Sequence, residues 1–339
     1  MIAAPQVRGQ AGAKLLLFGE HAAVYGHPAV GIHLPLMTDV TLSPSSGGQW
    51  MLPDLEPAYM QPAYMEPVLQ ALARAEEVFV HPDGSRLSDH RGSISFRSTV
   101  PLSSGFGSSA SLSVALVRAL HTMGYELRDQ DRLPGWPDEW RAANLLEETF
   151  HGTPSGIDAG LCSLGGVVEF RGSSASLPHA RHISGPSFCI VASSVPRRGS
   201  TRELVAGLRR RMEAGETEVA DDLAALGSLS SEAVTLLENP DGSLSSLAHY
   251  VDRAHELLSG LGLGHPDVDA AIETGRGAGA LGGKISGAGG GGAFFLLCRD
   301  VASARRVAQA LAVDNVDQRQ IFGIQVAQGN TSLIDAGTQ

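Results

Sequence analysis

Positive charge is in short supply in this chain. Lysine and arginine together number 25, against 36 aspartate and glutamate residues, which gives a formal net charge of −11 at pH 7. Such a chain is repelled by nucleic acid and by anionic membrane surfaces, which argues against both as main partners. An anionic ligand such as a phosphate would have to be held locally, by helix termini, a few cations or a metal ion.

Cysteine is also sparse, and long apolar runs are missing. The three cysteines, Cys162, Cys189 and Cys298, are odd in number, widely spaced and set in apolar stretches. This pattern fits neither a disulfide framework nor a zinc site, and it predicts reduced, buried thiols in a cytoplasmic protein. No basic segment followed by an apolar stretch opens the chain, and no apolar run approaches membrane-spanning length, so neither a signal peptide nor a membrane anchor is expected.

A Walker A motif is absent, although a glycine-serine loop is present. The stretch PLSSGFGSSAS, residues 101–111, follows a strand-like run at 93–100 and precedes an apolar helix pattern from Leu112, with no Lys-Ser/Thr pair after its glycines. A strand, a glycine-rich loop and a helix in this order gather unpaired backbone N–H groups at a positive helix end, which predicts phosphate binding. Ser108 and Ser109 are expected to cap the helix or to face a metal ion. Taken alone, the loop is explained more simply as a well-capped helix after a flexible turn.

Polar residues flank the first buried strand. In the stretch KLLLFGEHAAVYG, Lys14 precedes an apolar strand at residues 15–18, and Glu20 and His21 follow it. Considered singly, Lys14 is explained by a solvated strand end, and His21 by a turn histidine with ordinary hydrogen bonds.

A second group of polar residues lies near the middle of the chain. Glu147 and His151 are four residues apart on a predicted helix, so they share one helix face. Asp158 follows the turn HGTPSG and precedes an apolar stretch, where capping a helix is the simpler role for a lone carboxylate.

Hydrophobic periodicity indicates a chain that alternates helices and strands, long enough at 339 residues for two domains or one large one. Ser200 and Glu203 have the capping-box spacing of a helix start, and a glycine-rich stretch, GGKISGAGGGG, occupies residues 282–292. Helices are predicted at residues 68–78, 112–124, 142–150, 218–226, 231–237, 244–261, 266–274 and 301–311.

Together, KLLLFGEHAAVYG, PLSSGFGSSAS and KISGAGGGG resemble the three signature motifs of the GHMP kinases, in the right order and spacing. Within that superfamily, FGEHAAVYG, HGTPSGID and VPRRGSTRELVAG resemble the mevalonate kinases. The resemblance implies a two-domain α+β fold, with a ribosomal protein S5 domain 2-like N-terminal domain at residues 1–186 and a ferredoxin-like C-terminal domain at 187–339. It also implies ATP-dependent phosphorylation of the 5-hydroxyl of mevalonate, with Mg²⁺ as cofactor, in isoprenoid (lipid) biosynthesis.

The resemblance assigns roles residue by residue. Asp158 matches the catalytic aspartate that engages the substrate hydroxyl, and Lys14 the lysine beside it; Ser109 and Glu147 match the metal ligands. The residues that match the loop around the ATP phosphates are Ser104, Gly105, Phe106, Gly107, Ser108 and Ser109. The residues that match the substrate side are Glu20, His21, Thr201, Gly287, Ala288 and Gly289.

Departures from the family pattern affect the substrate pocket more than the ATP site. The usual Ala-Pro-Gly-Lys start is replaced by AGAK, and Leu112 stands where animal-type mevalonate kinases carry a substrate-contacting tyrosine. Arg197, Arg198 or Arg202 is expected to bind the substrate carboxylate, since the planar guanidinium suits it. The alternatives are another GHMP kinase acting on phosphomevalonate, homoserine or galactose, or a non-catalytic ligand sensor; a homodimer is left open.

Overall fold

The computed structural model describes residues 6–45, 50–52, 62–172, 178–199, 201–313 and 320–334, without the side chains of residues 62, 63 and 201. Ser200, the predicted capping residue, lies outside these ranges. The chain forms two compact units, each assembled from separate segments. The first unit comprises Met1–Lys14, Leu36–Leu102 and Gly107–Gly165, and the second comprises Leu15–Pro35, Ser103–Phe106 and Gly166–Gln339. The predicted domain boundary between residues 186 and 187 stays a prediction.

Helices and strands alternate along the described chain, as the periodicity predicts. The strands are β1 (Val7–Phe18), β2 (Ala29–Ser43), β3 (Phe79–Val80), β4 (Ser93–Ser98), β5 (Glu126–Leu127), β6 (Val167–Arg171), β7 (His179–His182), β8 (Phe188–Val195), β9 (Gly282–Ile285), β10 (Gly292–Cys298), β11 (Ile321–Ala327) and β12 (Asn330–Leu333). The helices are α1 (Pro62–Val78), α2 (Ser108–Thr122), α3 (Asp138–His151), α4 (Ile157–Leu164), α5 (Thr201–Glu213), α6 (Thr217–Glu238), α7 (Leu244–Gly260), α8 (Pro266–Gly277) and α9 (Val301–Val313).

Two sheets of five strands carry the fold within the described ranges. One has the order β1-β2-β6-β7, with β4 paired to β2, and β1 and β2 contribute residues to both units. The other has the order β12-β11-β8-β10-β9 and is antiparallel throughout. Its central strands β8 and β10 are almost entirely buried, in keeping with their continuous apolar sequences.

The first unit places α2 in its core. Buried residues occupy nearly every position of α2 from Ala110 to Leu120, and α2 packs against α3 and α4. Small side chains such as Ala110, Ser111 and Ala115 allow this helix to be enclosed on all sides. The start of α2 is therefore held by a packed helix rather than by a surface segment.

The structure corrects one pair of predicted helices. Residues 218–226 and 231–237, predicted as two helices, belong to the single helix α6. The intervening GSLSS suggests a break in the helix. In the structure, the hydroxyls of Ser228, Ser230 and Ser231 donate to the carbonyl oxygens of Ala224, Leu226 and Gly227, at 3.0–3.1 Å. Because these serines bond back along the same helix, they do not interrupt it.

Candidate active site

The glycine-serine loop leads directly into α2. Gly107 occupies the N-cap position with a φ of 78°, and no side chain caps the helix, so Ser108 and Ser109 lie in the first turn instead of the predicted capping position. The first backbone N–H groups of such a helix have no acceptor within the helix and carry the positive end of its dipole. A Cβ on Gly107 would lie 2.7 Å from Cγ of Lys14, so glycine is required both for the backbone angle and for the close approach of this lysine.

Glu147 is a buried carboxyl held by two serines of α2. Ser109 Oγ donates to its Oε2 and Ser113 Oγ to its Oε1, both at 3.2 Å, and the Glu147 side chain is 1% exposed. Loss of hydration, with the nearby Asp158 carboxylate, raises the pKa of Glu147 to about 8, although the two serines and Lys14 act in the opposite direction.

His151 completes a short hydrogen-bonded chain with these residues. Its Nε2 lies 3.1 Å from Ser109 Oγ and 3.6 Å from Glu147 Oε2, one helical turn after Glu147 on α3. The Ser109 hydroxyl has one proton, which it donates to Glu147, so its oxygen can accept a hydrogen bond from His151 in the tautomer that carries hydrogen on Nε2. The predicted common face of Glu147 and His151 is therefore observed.

Lys14 and Asp158 form an ion pair. Lys14 Nζ lies 3.0 Å from Asp158 Oδ2, with the lysine side chain 7% exposed and the aspartate side chain 42% exposed. Asp158 lies in the first turn of α4, whose N-cap is Gly156 without any side-chain capping bond, so the simple capping role does not describe it. The pair joins β1 to α4, two elements far apart in the sequence.

Two stacked tryptophans fix the turn before α4. The rings of Trp136 and Trp140 are 4.0 Å apart and within 10° of parallel, and Trp140 Nε1 donates to the carbonyl oxygen of Gly156 at 2.7 Å. Gly156 has a φ of 84°, and a Cβ there would lie 2.5 Å from the Trp136 ring. The tryptophans therefore contact the chain at Gly156, two residues before Asp158.

The predicted substrate-side residues of the second unit form their own cluster. Glu20 follows β1 and pairs with Lys284 Nζ on β9, and both side chains are almost fully buried. His21 Nε2 lies 3.1 Å from the carbonyl oxygen of Ala288, while burial lowers the pKa of His21. Gly287 and Gly289 flank Ala288 in the loop between β9 and β10.

The remaining predicted residues lie elsewhere in the second unit. Ser104 and Phe106 are buried, and Phe106 packs edge-to-face on Phe322 with ring centroids 5.8 Å apart. A Cβ on Gly105 would lie 2.9 Å from Nη2 of Arg197, so this guanidinium lies against the loop backbone. Arg198 and Arg202 are exposed. Thr201 begins α5, and its side chain is outside the described part of the structure.

The residues Ser109 and Glu147 have the chemistry of a partial Mg²⁺ site. They offer a hydroxyl and a carboxylate oxygen 3.2 Å apart, and hard cations take oxygen ligands. A divalent cation would also supply the positive charge that the buried Glu147 lacks. Across the described residues, no group of three or more His, Cys, Asp or Glu is placed to hold a metal by itself, so further ligands would come from phosphate oxygens and water.

Comparison with known proteins identifies the family. Residues 67–166 match the family model of the GHMP kinases N-terminal domain, and residues 233–315 match that of the GHMP kinases C-terminal domain. The mevalonate kinase of Candida albicans is 30% identical over 349 residues, covering 85% of this chain and 80% of that relative. This chain belongs to the GHMP kinase family. The predicted family and the α+β, two-domain GHMP kinase fold are therefore confirmed.

Two further relatives extend the comparison of this GHMP kinase. The mevalonate kinase of Pyrococcus horikoshii is 29% identical over 326 residues, covering 89% of this chain and 92% of that relative. The crystal structure of L. major mevalonate kinase in complex with R-mevalonate matches with a TM-score of 0.80 at 22% identity, covering 96% of this chain and 97% of that one. At this identity the structural match bears on the fold alone.

Several residues around the candidate site are missed by motif reasoning. Lys284 lies inside the motif stretch KISGAGGGG. However, a lysine beside a glycine-rich loop suggests an exposed charge, whereas the structure shows a buried partner of Glu20. Ser113 and the two tryptophans lie outside the motif stretches. Their contribution depends on packing between elements, which one sequence does not reveal.

Proposed function

We propose that this GHMP kinase transfers the γ-phosphoryl group of ATP to the 5-hydroxyl of mevalonate, giving 5-phosphomevalonate for isoprenoid synthesis. The mevalonate kinase relatives, which align over most of the chain, support this choice of substrate. The observation that carries the chemistry is the ion pair of Lys14 and Asp158, at 3.0 Å, in the same unit as Ser109 and Glu147.

Asp158 is the group that receives the proton of the substrate hydroxyl. Its carboxylate is fixed by Lys14 yet is 42% exposed, so a hydroxyl can reach it. As the hydroxyl oxygen bonds to phosphorus and the bond to ADP breaks, the proton passes to Asp158. The Lys14 ammonium offsets negative charge on the transferring phosphoryl group, which is the larger requirement in a loose transition state.

The loop and the start of α2 bind the phosphates in this proposal. Backbone N–H groups at Ser108 and Ser109 and the helix dipole suit phosphate oxygens. Mg²⁺, held by Ser109 and Glu147, would neutralise phosphate charge and link the nucleotide to α2 and α3. The substrate-side roles of Glu20, His21, Thr201 and the 287–289 loop remain predictions.

The decisive experiment is a substrate panel. ADP release is measured with mevalonate, phosphomevalonate, homoserine and galactose, each with MgATP, and the product is identified by mass. We expect a mevalonate-dependent rate with a product heavier by one phosphoryl group. Faster turnover of any other compound in the panel would reassign the substrate within the family, and no transfer to any of them would favour a non-catalytic ligand sensor.

We propose a cytoplasmic setting from the cysteines. The three cysteines are unpaired and buried, which suits the reducing cytoplasm. None of the described helices is long and apolar enough to cross a membrane. A homodimer stays a prediction, which sedimentation equilibrium would test.

A further inference from the structure

A buried ion pair lies between the first and third motif stretches. Lys284 is 0% exposed, and its Nζ donates to Glu20 Oε1 and, at 2.8 Å, to the carbonyl oxygen of Ile285. Nζ also lies 5.6 Å from the centroid of the Phe295 ring. Burial lowers the pKa of Lys284, and the Glu20 carboxylate offsets part of that effect. A carbonyl oxygen and an aromatic face complete the surroundings of the ammonium.

Stability alone is a poor reason for such a pair. The cost of removing two charges from water roughly cancels their mutual attraction, and an apolar pair of similar volume often stabilises a protein as well. A charged pair at a packed site is therefore expected to position neighbouring groups.

Two further contacts run beside the ion pair, within the same unit. Ser286 Oγ donates to the carbonyl oxygen of Leu16 at 2.7 Å, and His21 Nε2 lies 3.1 Å from the carbonyl oxygen of Ala288. Residues 16–21 are thus attached to residues 284–288 at three points. His21 has a φ of 58°, a conformation uncommon for a residue other than glycine, so its backbone needs support from its surroundings.

We infer that Lys284 is a positioning residue, and that Glu20 acts through Lys284 to hold His21 and the 286–289 loop rather than by touching substrate. The Glu20 side chain is 1% exposed and is engaged by the ammonium, so its carboxylate is not offered to a ligand. The kinetic part of this inference rests on the proposed function, whereas the structural part does not.

A double-mutant cycle tests the inference. Lys284→Met, Glu20→Met and the double variant keep side-chain length while removing one or both charges. We expect each single variant to raise KM for mevalonate about tenfold, by misplacing His21, with KM for ATP changed less than about twofold. The double variant should lose no more than the worse single variant, because the two residues act as one unit.

Glu169→Met is the matched control. Glu169 is another buried carboxylate of the second unit, paired with Arg171 and Arg181. We expect it to lower the melting temperature without changing KM for mevalonate. If the Glu20 and Lys284 losses multiply in the double variant, Glu20 contacts substrate independently and the inference is overturned; unchanged KM in both single variants overturns it as well.

Hydrogen exchange measured by mass spectrometry separates this inference from the proposed function. Peptides covering residues 16–22 and 284–290 should exchange faster together in the Glu20 and Lys284 variants, and remain as in the wild type in Glu169→Met. The double variant, which leaves no unpaired buried charge, provides this measurement if a single variant fails to fold. Faster exchange in the variants, with no mevalonate turnover by the wild type, would contradict the proposed function and support the positioning role of Lys284 and Glu20. Unchanged exchange would contradict that positioning role.

Discussion

The members of the Lys14–Asp158 pair differ in their access to solvent. The lysine stem packs over Gly107 and its side chain is 7% exposed, whereas the aspartate is 42% exposed. The cation is therefore fixed while the anion can meet a substrate hydroxyl. This asymmetry is what a base with a neighbouring charge partner requires, and it assigns different effects to substitution at the two positions.

Substitution of Asp158 tests its proposed role as the base. Asp158→Asn keeps the size of the side chain but removes its ability to accept a proton, so we expect kcat to fall about a thousandfold or more while ATP still binds. Steady-state kinetics and nucleotide binding by calorimetry measure the two effects. Asp129→Asn, at a fully exposed carboxylate of the same unit, should leave both unchanged. Near-normal turnover in Asp158→Asn would show that another group takes the proton.

If Glu147 holds Mg²⁺ as proposed, magnesium binding should depend on pH. Its pKa of about 8, against an ordinary value of 4.5, means that the folded protein holds a proton there which the unfolded chain releases. The contribution of Glu147 to the free energy of unfolding is therefore fully present below pH 4.5 and is lost as the pH rises through 8. Because Mg²⁺ takes the carboxylate form, its apparent affinity for the nucleotide-bound enzyme should rise about fivefold from pH 7 to 8 and less than about twofold from pH 8 to 9.

Metal titration at the three pH values measures this dependence. Glu147→Gln should bind Mg²⁺ weakly and without the slope, and the neighbouring, more exposed Glu148→Gln should keep the slope of the wild type. An affinity that is equally steep in the Glu147 variant would assign the proton to the nucleotide.

Among the single elements, α4 carries Asp158, the proposed proton acceptor, and packs at its start against residues outside the motifs. The helix begins at Gly156, against the stacked tryptophans, and ends at Gly165, and both glycines have positive φ. A Cβ on Gly156 would meet the Trp136 ring at 2.5 Å, whereas a Cβ on Gly165 would meet nothing within 4 Å. A substitution at Gly165 would therefore cause backbone strain alone, whereas one at Gly156 would also displace the Trp136 ring.

Alanine at each end tests this difference. Both variants should lose about 1–3 kcal/mol of stability from backbone strain, and Gly156→Ala about 1–3 kcal/mol more because its ring neighbour must move. We expect Gly156→Ala alone to lower kcat, about tenfold or more, since displacement of the first turn of α4 moves Asp158. Chemical denaturation and kinetics provide the two measurements. Equal kcat in both variants would mean that the tryptophans do not position the aspartate.

Local sequence predicts the elements better than their limits. The strand-loop-helix order around residues 101–111 is recoverable because periodicity changes at a glycine-rich loop, and the proximity of Lys14, Ser109, Glu147 and Asp158 follows from the family motifs. The serine-rich middle of α6 is misread because its hydroxyl bonds to earlier carbonyls become visible only in the folded helix. The buried Lys284 is missed because burial of a charge depends on a partner 264 residues away.

At the scale of the whole molecule, the compact units do not follow chain order. Leu15–Pro35 belongs with Gly166–Gln339, although Met1–Lys14 and Leu36–Leu102 belong to the other unit. The predicted boundary at residue 186 misses this arrangement, because composition and periodicity carry no information on which distant segments share a core. The consequence is that residues 187–339, although they include every strand of the β8–β12 sheet, lack part of their own unit.

A fragment of residues 187–339 should therefore fold poorly by itself. Without residues 15–35, Lys284 loses its Glu20 partner, and Ser286 and Ala288 lose their contacts with Leu16 and His21. Removal of one partner from a buried pair costs about 3–5 kcal/mol, a large share of the stability of a domain of this size. We expect circular dichroism to show a broad thermal transition at lower temperature than that of the full chain.

Lys284→Met should change the stability of the fragment and of the full chain in opposite directions. Lys284→Met should stabilise the fragment, where it removes an unpaired charge, but destabilise the full chain, where it leaves Glu20 unpaired. Glu273→Gln, at an exposed carboxylate of α8, should change neither protein. If the fragment melts cooperatively within about 5 °C of the full chain, or if Lys284→Met lowers both melting temperatures alike, residues 15–35 are not needed by the second unit and the 186/187 boundary divides two independent domains.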